Sequence, residues 1–154
     1  MNANNISVLH PNAFAGLTNL TKVSFYNNQI HKINKNAFGA LSRVEYDFKK
    51  GRKLDLNLGH NQLNKIPTEA LKNLNILENL DLKENKIGDI SMNEFAGLDN
   101  LDHLTLQHNE ISHLRDEAFA GLPKLSSLYI DNNKINVIEE KMSQYLLISP
   151  KGAT

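Results

Sequence analysis

Cysteine is absent from the 154-residue chain. That excludes disulfides, zinc–thiolate centres and thiol nucleophiles together. It leaves the compartment open, because a secreted segment can also lack cysteine. No apolar run approaches the roughly 20 residues that a membrane-spanning helix needs, so direct membrane insertion is not expected. The opening MNANNIS has no charged stretch followed by an apolar one and does not read as a secretory leader. An excess of either charge is missing too. Seventeen Lys and Arg balance 17 Asp and Glu, so the whole chain gives no pointer to nucleic acid. The signatures G-x-S-x-G, the Walker loop, the glycine-rich dinucleotide turn and H-E-x-x-H do not occur.

Charge is nevertheless unevenly spread. Residues 1–52 hold seven Lys and Arg against two Asp and Glu, and residues 53–154 hold ten against fifteen. Part of the basic excess sits in Lys49, Lys50, Arg52 and Lys53, a cluster that reads as a solvated loop.

What is present is repetition. The phrase AFAGL stands at 13–17 and again at 118–122, and FAGL stands at 95–98. Asparagines recur at Asn4, Asn28, Asn61, Asn85, Asn109 and Asn133, spaced by 24 except for one step of 33. Two residues after each comes Ile6, Ile30, Leu63, Ile87, Ile111 or Ile135. Five residues after each comes Leu9, Ile33, Ile66, Ile90, Leu114 or Ile138. Ten residues on, the column reads Phe14, Phe38, Leu71, Phe95 and Phe119 before failing at Ser143. Before each asparagine runs L-x-x-L-x-L-x-x-N, as in LENLDLKEN at 77–85 and LDHLTLQHN at 101–109. In KLDLNLGHN at 53–61, Lys53 takes the first apolar slot. The alternation predicts a short strand with one buried face.

A period of 24 has room for one strand, a turn and an irregular return, and too little for two packed helices. Successive strands then stack in parallel, about 4.8 Å apart. A single unit buries too little apolar surface to offset the ordering of its backbone, so neighbours must cover both of its sides. Asparagine suits the turn because its amide both donates and accepts, and a column of amides can satisfy turn backbone groups that no ladder reaches.

The pattern N-x-I-x-x-I-x-x-x-A-F-x-G-L resembles the leucine-rich repeat family in its 24-residue form, over about residues 2–148. The variant is similar to repeats in extracellular receptor, adhesion and proteoglycan ectodomains, among them Toll-like-receptor and Slit-like repeats. The resemblance implies an α/β fold: a right-handed solenoid with a concave parallel sheet of five strands and a mostly irregular convex side. The expected units are a partial repeat at 2–19 and repeats at 20–43, 53–76, 77–100, 101–124 and 125–148, with an insertion at 44–52 and a tail at 149–154. Such ectodomains close each end with a cysteine-bearing cap. None is seen here, so the expectation is a segment of a longer protein or an incomplete gene model. The insertion VEYDFKKGR reads either as a ligand-contact loop or as a tolerated insertion, including a retained intron.

No grouping of side chains argues for catalysis, a metal or a cofactor. His60 and His108 share a repeat column two copies apart, and Asp55, Asp81 and Asp131 are scattered over the sheet. Metal-dependent or acid–base chemistry on these groups would need burial and spacing that the sequence does not argue for. The polar concave face is the candidate site. Its expected partner-binding residues are Lys22, Tyr26, Asn57, His60, Asp81, Lys83, Thr105, Gln107, His108, Tyr129 and Asp131. Tyr26 and Tyr129 are the natural anchors. Across the outward rows, the four acids Asp55, Asp81, Glu84 and Asp131 against the two lysines Lys22 and Lys83 favour a mildly basic protein or peptide ligand over nucleic acid. The sequons at Asn5 and Asn19 become glycosylation sites only in a secreted chain. The expected role is therefore non-catalytic binding in an extracellular or cell-surface receptor or adhesion protein. The alternative is an intracellular scaffold that recruits a signalling protein. Nothing in the sequence fixes an oligomeric state.

Overall fold

The strands form where the alternation is strictest. In the computed structural model, which describes residues 1–42, 53–72 and 74–140, the elements run in chain order as β1 (Val8–Leu9), β2 (Lys22–Ser24), β3 (Lys32–Ile33), α1 (Gly39–Ser42), β4 (Leu54–Asn57), α2 (Thr68–Leu71), β5 (Leu77–Asp81), β6 (His103–Thr105), β7 (His113–Leu114), β8 (Ser127–Tyr129) and β9 (Val137–Ile138). The insertion at 44–52, the end of the last repeat and the tail at 149–154 lie outside the described residues.

Strands β2, β4, β5, β6 and β8 make one five-stranded parallel sheet. Its register puts Val23, Leu56, Leu80, Leu104 and Leu128 in one column, all buried. A second inward column follows in Phe25, Leu58, Leu82 and Leu106. The chain is thus a parallel β-solenoid with little helix, α1 and α2 having four residues each. The step of 33 leaves the register intact. Val23 pairs with Leu56, and Asn28 and Asn61 both donate to the carbonyl of Phe25, at 2.9 and 3.0 Å. The register of β4 against β2 is therefore kept across the step, and the one irregularity is a shift between Leu54 and Asp55 in the pairing of β4 with β5.

The outer side carries more order than the sequence suggested. β1 pairs with β3 and β7 with β9, both in parallel, and Ile90 bridges to Leu114. Asn34 and Glu139 extend these pairings by donating their N–H to the carbonyls of Leu9 and Leu114, each at 3.0 Å. Pro67 stands at the equivalent position in the third coil and has no N–H to give. The outer ladder stops there, and the chain turns into α2 instead. Inside this outer layer Phe14 stacks on Phe38 with ring centroids 5.5 Å apart, and Phe95 stacks on Phe119 at 5.8 Å. Leu71 stands between the two pairs in sequence and is buried like them. Leu17 departs from its column. It is half exposed, whereas Leu41, Leu74, Leu98 and Leu122 are buried.

Three residues after each strand of the main sheet stands a left-handed residue: Asn27, His60, Glu84, His108 and Asn132 have φ between 52° and 57°. That turn points the following asparagine inward. Asn28, Asn61, Asn85 and Asn109 are buried, and with Asn133 they stand in one line. Each amide joins two coils. The Nδ2 of Asn85 donates to Leu82 in its own coil and to Leu58 in the coil before, both at 3.0 Å. Its Oδ1 accepts the N–H of Leu63 at 3.0 Å. Asn61 and Asn109 repeat the pattern through Ile30 and Ile87.

The redundancy predicts where damage falls. Without Asn85, Leu58 keeps the amide of Asn61 and Leu82 keeps that of Asn109, while the Leu63 N–H loses its acceptor. An orphaned buried donor costs about 1–3 kcal/mol, and the lost packing adds to it. Asn85→Ala should lower stability by about 2–4 kcal/mol in urea unfolding. Asn133→Ala, at a more exposed coil, should cost visibly less. Equal losses at the two sites would contradict the assignment.

Candidate functional site

With the core behind them, the outward residues of the sheet form four columns. Lys22, Asp55, Asn79, His103 and Ser127 make the first, and Ser24, Asn57, Asp81, Thr105 and Tyr129 the second, both fixed by strand register. The third is Tyr26, Gly59, Lys83, Gln107 and Asp131. The left-handed residues Asn27, His60, Glu84, His108 and Asn132 form the rim. Backbone bonds carry the ladder into these last columns: Asn27 to Gly59 at 3.1 Å, His60 to Lys83 at 2.9 Å and Glu84 to Gln107 at 2.9 Å.

Side chains on this face are tied across strands. Asn79 Nδ2 donates to Asp55 Oδ1 at 2.5 Å, and Asn57 Nδ2 to Asp81 Oδ2 at 3.0 Å. The other Asp81 oxygen accepts the Lys83 N–H at 3.0 Å. Gln107 Nε2 donates to Asp131 Oδ1 at 2.7 Å. Bonds of this length to ionised acceptors are among the stronger kind, so these side chains are held in place.

At one corner, three coils meet over a glycine. Gly59 is buried, and a Cβ there would lie 3.2 Å from Lys83 Cγ and 3.2 Å from Asn57 Oδ1. The missing side chain lets Lys83 lean across the third coil and set its ammonium 5.6 Å from the Tyr26 ring centroid, within cation–π range. The His60 ring lies 5.7 Å from the same tyrosine and puts Nδ1 2.6 Å from Glu84 Oε2.

The expected site residues therefore fall into three groups. Lys22, Asn57, Asp81, Thr105 and Tyr129 line one shallow groove across the strands. Tyr26, His60 and Lys83 form the corner cluster, and Gln107 with Asp131 a separate pair. His108 lies on the rim beside Glu84, across from His60. Asp55, Asn79 and His103 also line the groove. They were legible, since they obey the same 24-residue spacing. Gly59 was less so, because a glycine in a polar column gives no hint that a lysine will cover it. The sequon residues Asn5 and Asn19 are both exposed.

Among the described residues, no group of three or more His, Asp or Glu is placed to hold a metal ion, and no helix is long and apolar enough to cross a membrane. The largest electrostatic perturbation lies on the outer turns. Backbone N–H groups of Ser112 and His113 donate to Asp89 Oδ1, each at 2.9 Å, and lower its pKa to about 2, helped by the Ser112 hydroxyl and the His113 charge. Burial pushes the Glu94 carboxyl upward, against the Ser91 backbone bond and Lys65.

A parallel solenoid with a polar inner sheet and an internal asparagine line defines a class of repeat protein. The sequence model of the leucine rich repeat family matches residues 1–46, 55–111 and 99–147. The chain belongs to that family. Among solved structures, 78 chains match. One is TLR13 in its crystal structure with ssRNA13, at 26% identity and a TM-score of 0.79. That match covers 91% of this chain and 19% of TLR13, so the present chain spans about a fifth of that protein's length. No curated protein sequence matches the chain.

The Asp89 cluster has a pH consequence. Its folded-state pKa lies below the ordinary carboxylate value, so its contribution is complete above about pH 4 and is lost as the pH falls toward 2. Asp89→Asn should therefore be less stable than the parent at neutral pH, and the two stability curves should converge in acid. Curves that stay parallel down to pH 2 would remove Asp89 from that role.

Proposed function

We propose that the chain is a non-catalytic protein-binding module, part of an extracellular or cell-surface leucine-rich-repeat receptor or adhesion protein. It takes a protein or peptide ligand on its concave face and uses no cofactor. The single observation that carries this reading is the face itself: polar side chains held across adjacent strands by short hydrogen bonds, on a backbone fixed by the ladder beneath. Such a surface loses little freedom on binding, which favours affinity. It is open and about 20 Å wide, suited to a peptide segment or part of a protein surface. Tyr26 and Tyr129, both half-buried, supply the anchoring aromatics.

Similarity to TLR13 supports the receptor setting, and the exposed sequons support passage through a secretory pathway. TLR13 was crystallised with single-stranded RNA, so an RNA ligand is the second reading. The carboxylates Asp55, Asp81 and Asp131 in the face of this chain argue against it, because phosphates would meet like charge.

The test is a binding screen of the chain against an array of secreted and cell-surface proteins, with RNA oligonucleotides alongside. Tyr26→Ala and Tyr129→Ala should each weaken a captured protein by roughly tenfold or more, as truncating an anchor costs about 2 kcal/mol. Glu117→Arg on the outer side should leave it unchanged. The opposite pattern, or capture of RNA alone, would overturn the proposal. Expression through a secretory pathway should add glycan mass that Asn5→Gln and Asn19→Gln remove. An unmodified mass would count against the extracellular setting.

A further inference from the structure

The described residues form five ion pairs: Lys53–Glu78, His60–Glu84, His103–Asp102, His113–Asp89 and Lys134–Glu110. Their acids all lie at the rim, at the strand entrances or on the outer turns. None is Asp55, Asp81 or Asp131, the three carboxylates inside the face. These three are bonded to neutral donors only. Asn79 holds Asp55, Asn57 and the Lys83 N–H hold Asp81, and Gln107 and Asn132 hold Asp131. Amides fix where a carboxylate points but leave its charge uncompensated.

The lysines of the face do not supply the missing charge. Lys83 turns its ammonium to Tyr26, and Lys22 makes no ion pair among the described residues although it lies opposite Asp55 in register. The acids also run obliquely across the strands in one direction. Asp55 sits opposite Asn79, and Asp81 opposite Asn57. One step from Asp55 to Asp81 therefore moves one strand across and two residues along, about 8 Å on standard sheet spacings. Asp131 lies beyond Gln107, two strands across and two residues along from Asp81, about 12 Å on the same spacings. Alternate side chains of an extended peptide recur about every 7 Å on one side. Asp55 and Asp81 line the same groove, and Tyr129 forms part of its wall.

We propose that this diagonal is the docking line for an extended segment of a partner protein that carries arginine or lysine at alternate positions. The first cation enters between Asp55 and Asp81, and another, two alternate positions on, reaches Asp131 past Tyr129. Charge complementarity carries the inference: three oriented carboxylates in one face form no ion pair among the described residues. The proposal rests on the concave-face reading above and specifies the ligand's chemistry.

The test uses the full chain and fluorescent peptides of alternating Arg-Ser, Lys-Ser and Glu-Ser, with a single-stranded RNA oligonucleotide as the polyanion arm. Anisotropy should show binding of the Arg and Lys peptides, weakened by salt, and none of the Glu peptide or RNA. The triple variant Asp55→Asn, Asp81→Asn, Asp131→Asn should weaken the basic peptides at least tenfold. The charge-matched variant Glu69→Gln, Asp99→Asn, Glu117→Gln, at exposed positions off the face, should bind like the parent. Urea unfolding of both variants confirms that each is folded. Equal weakening by the two triples would reduce the effect to net charge and overturn the proposal, as would basic peptides that fail to bind the parent. If a captured partner needs Tyr129 but ignores the face triple, the concave surface stands as the site and the basic ligand falls.

Discussion

A primary amide that reaches from one coil to the next is the constraint on which the rest of this molecule depends. A parallel sheet satisfies backbone groups within its strands. In the turns that follow, the N–H groups of the buried residues Ile30, Leu63 and Ile87 are met by side-chain oxygens and not by the ladder. Asn61, Asn85 and Asn109 meet that need with four contacts each, three donated and one accepted. A primary amide offers two N–H donors and an acceptor on one short stem, whereas a hydroxyl has a single donor, an aspartate would accept only and a leucine would do neither. The line of amides therefore fixes the turn, the turn fixes the strand ends, and the strand ends fix the face.

That order of dependence bears on function. The inner sheet is only three to five residues deep per strand, and its outward side chains have no packed layer above them. Their order comes from below and from each other. Cross-strand bonds between amides and carboxylates turn a row of flexible polar groups into a patterned surface. At Gly59 the same logic works by omission. An absent side chain admits Lys83, whose stem fills the gap and whose charge meets an aromatic ring two coils away. The face therefore presents oriented charge, whereas the outer layer of stacked phenylalanines presents packing alone.

Much of this was legible in the sequence, and the reasons are physical. Asn28 to Asn133 announced themselves because a solenoid must put chemically identical residues at identical places. The strand register followed from the same spacing, and so did the inward columns of Val23, Leu56 and Leu80. The outer pairings of β1 with β3 and β7 with β9 were not foreseen, since two-residue strands carry no alternation to read. Pro67 explains why they are discontinuous, but only once the N–H donors of Asn34 and Glu139 are seen. On the face, which residues point outward could be read from the period. How they engage one another could not. The choice of Asn79 for Asp55, or His60 for Glu84, depends on side-chain reach across strands, which a repeat pattern does not encode. The departure at Leu17 has a similar cause: column identity says nothing about whether a coil is covered.

The most direct measurement is native-state hydrogen exchange at four backbone amides, those of Ile30, Leu63, Ile87 and Ile111. Each donates to the asparagine of the following coil, at 2.9 to 3.2 Å. They lie outside the main sheet, so sheet hydrogen bonds give them no protection. If the amide line holds the coils together, Ile30, Leu63 and Ile87 should exchange only through large-scale opening, as slowly as the strand amides of Leu56 and Leu80, and Asn85→Ala should release Leu63 first. Exchange of these amides at turn-like rates while the strands stay protected would contradict that mechanism.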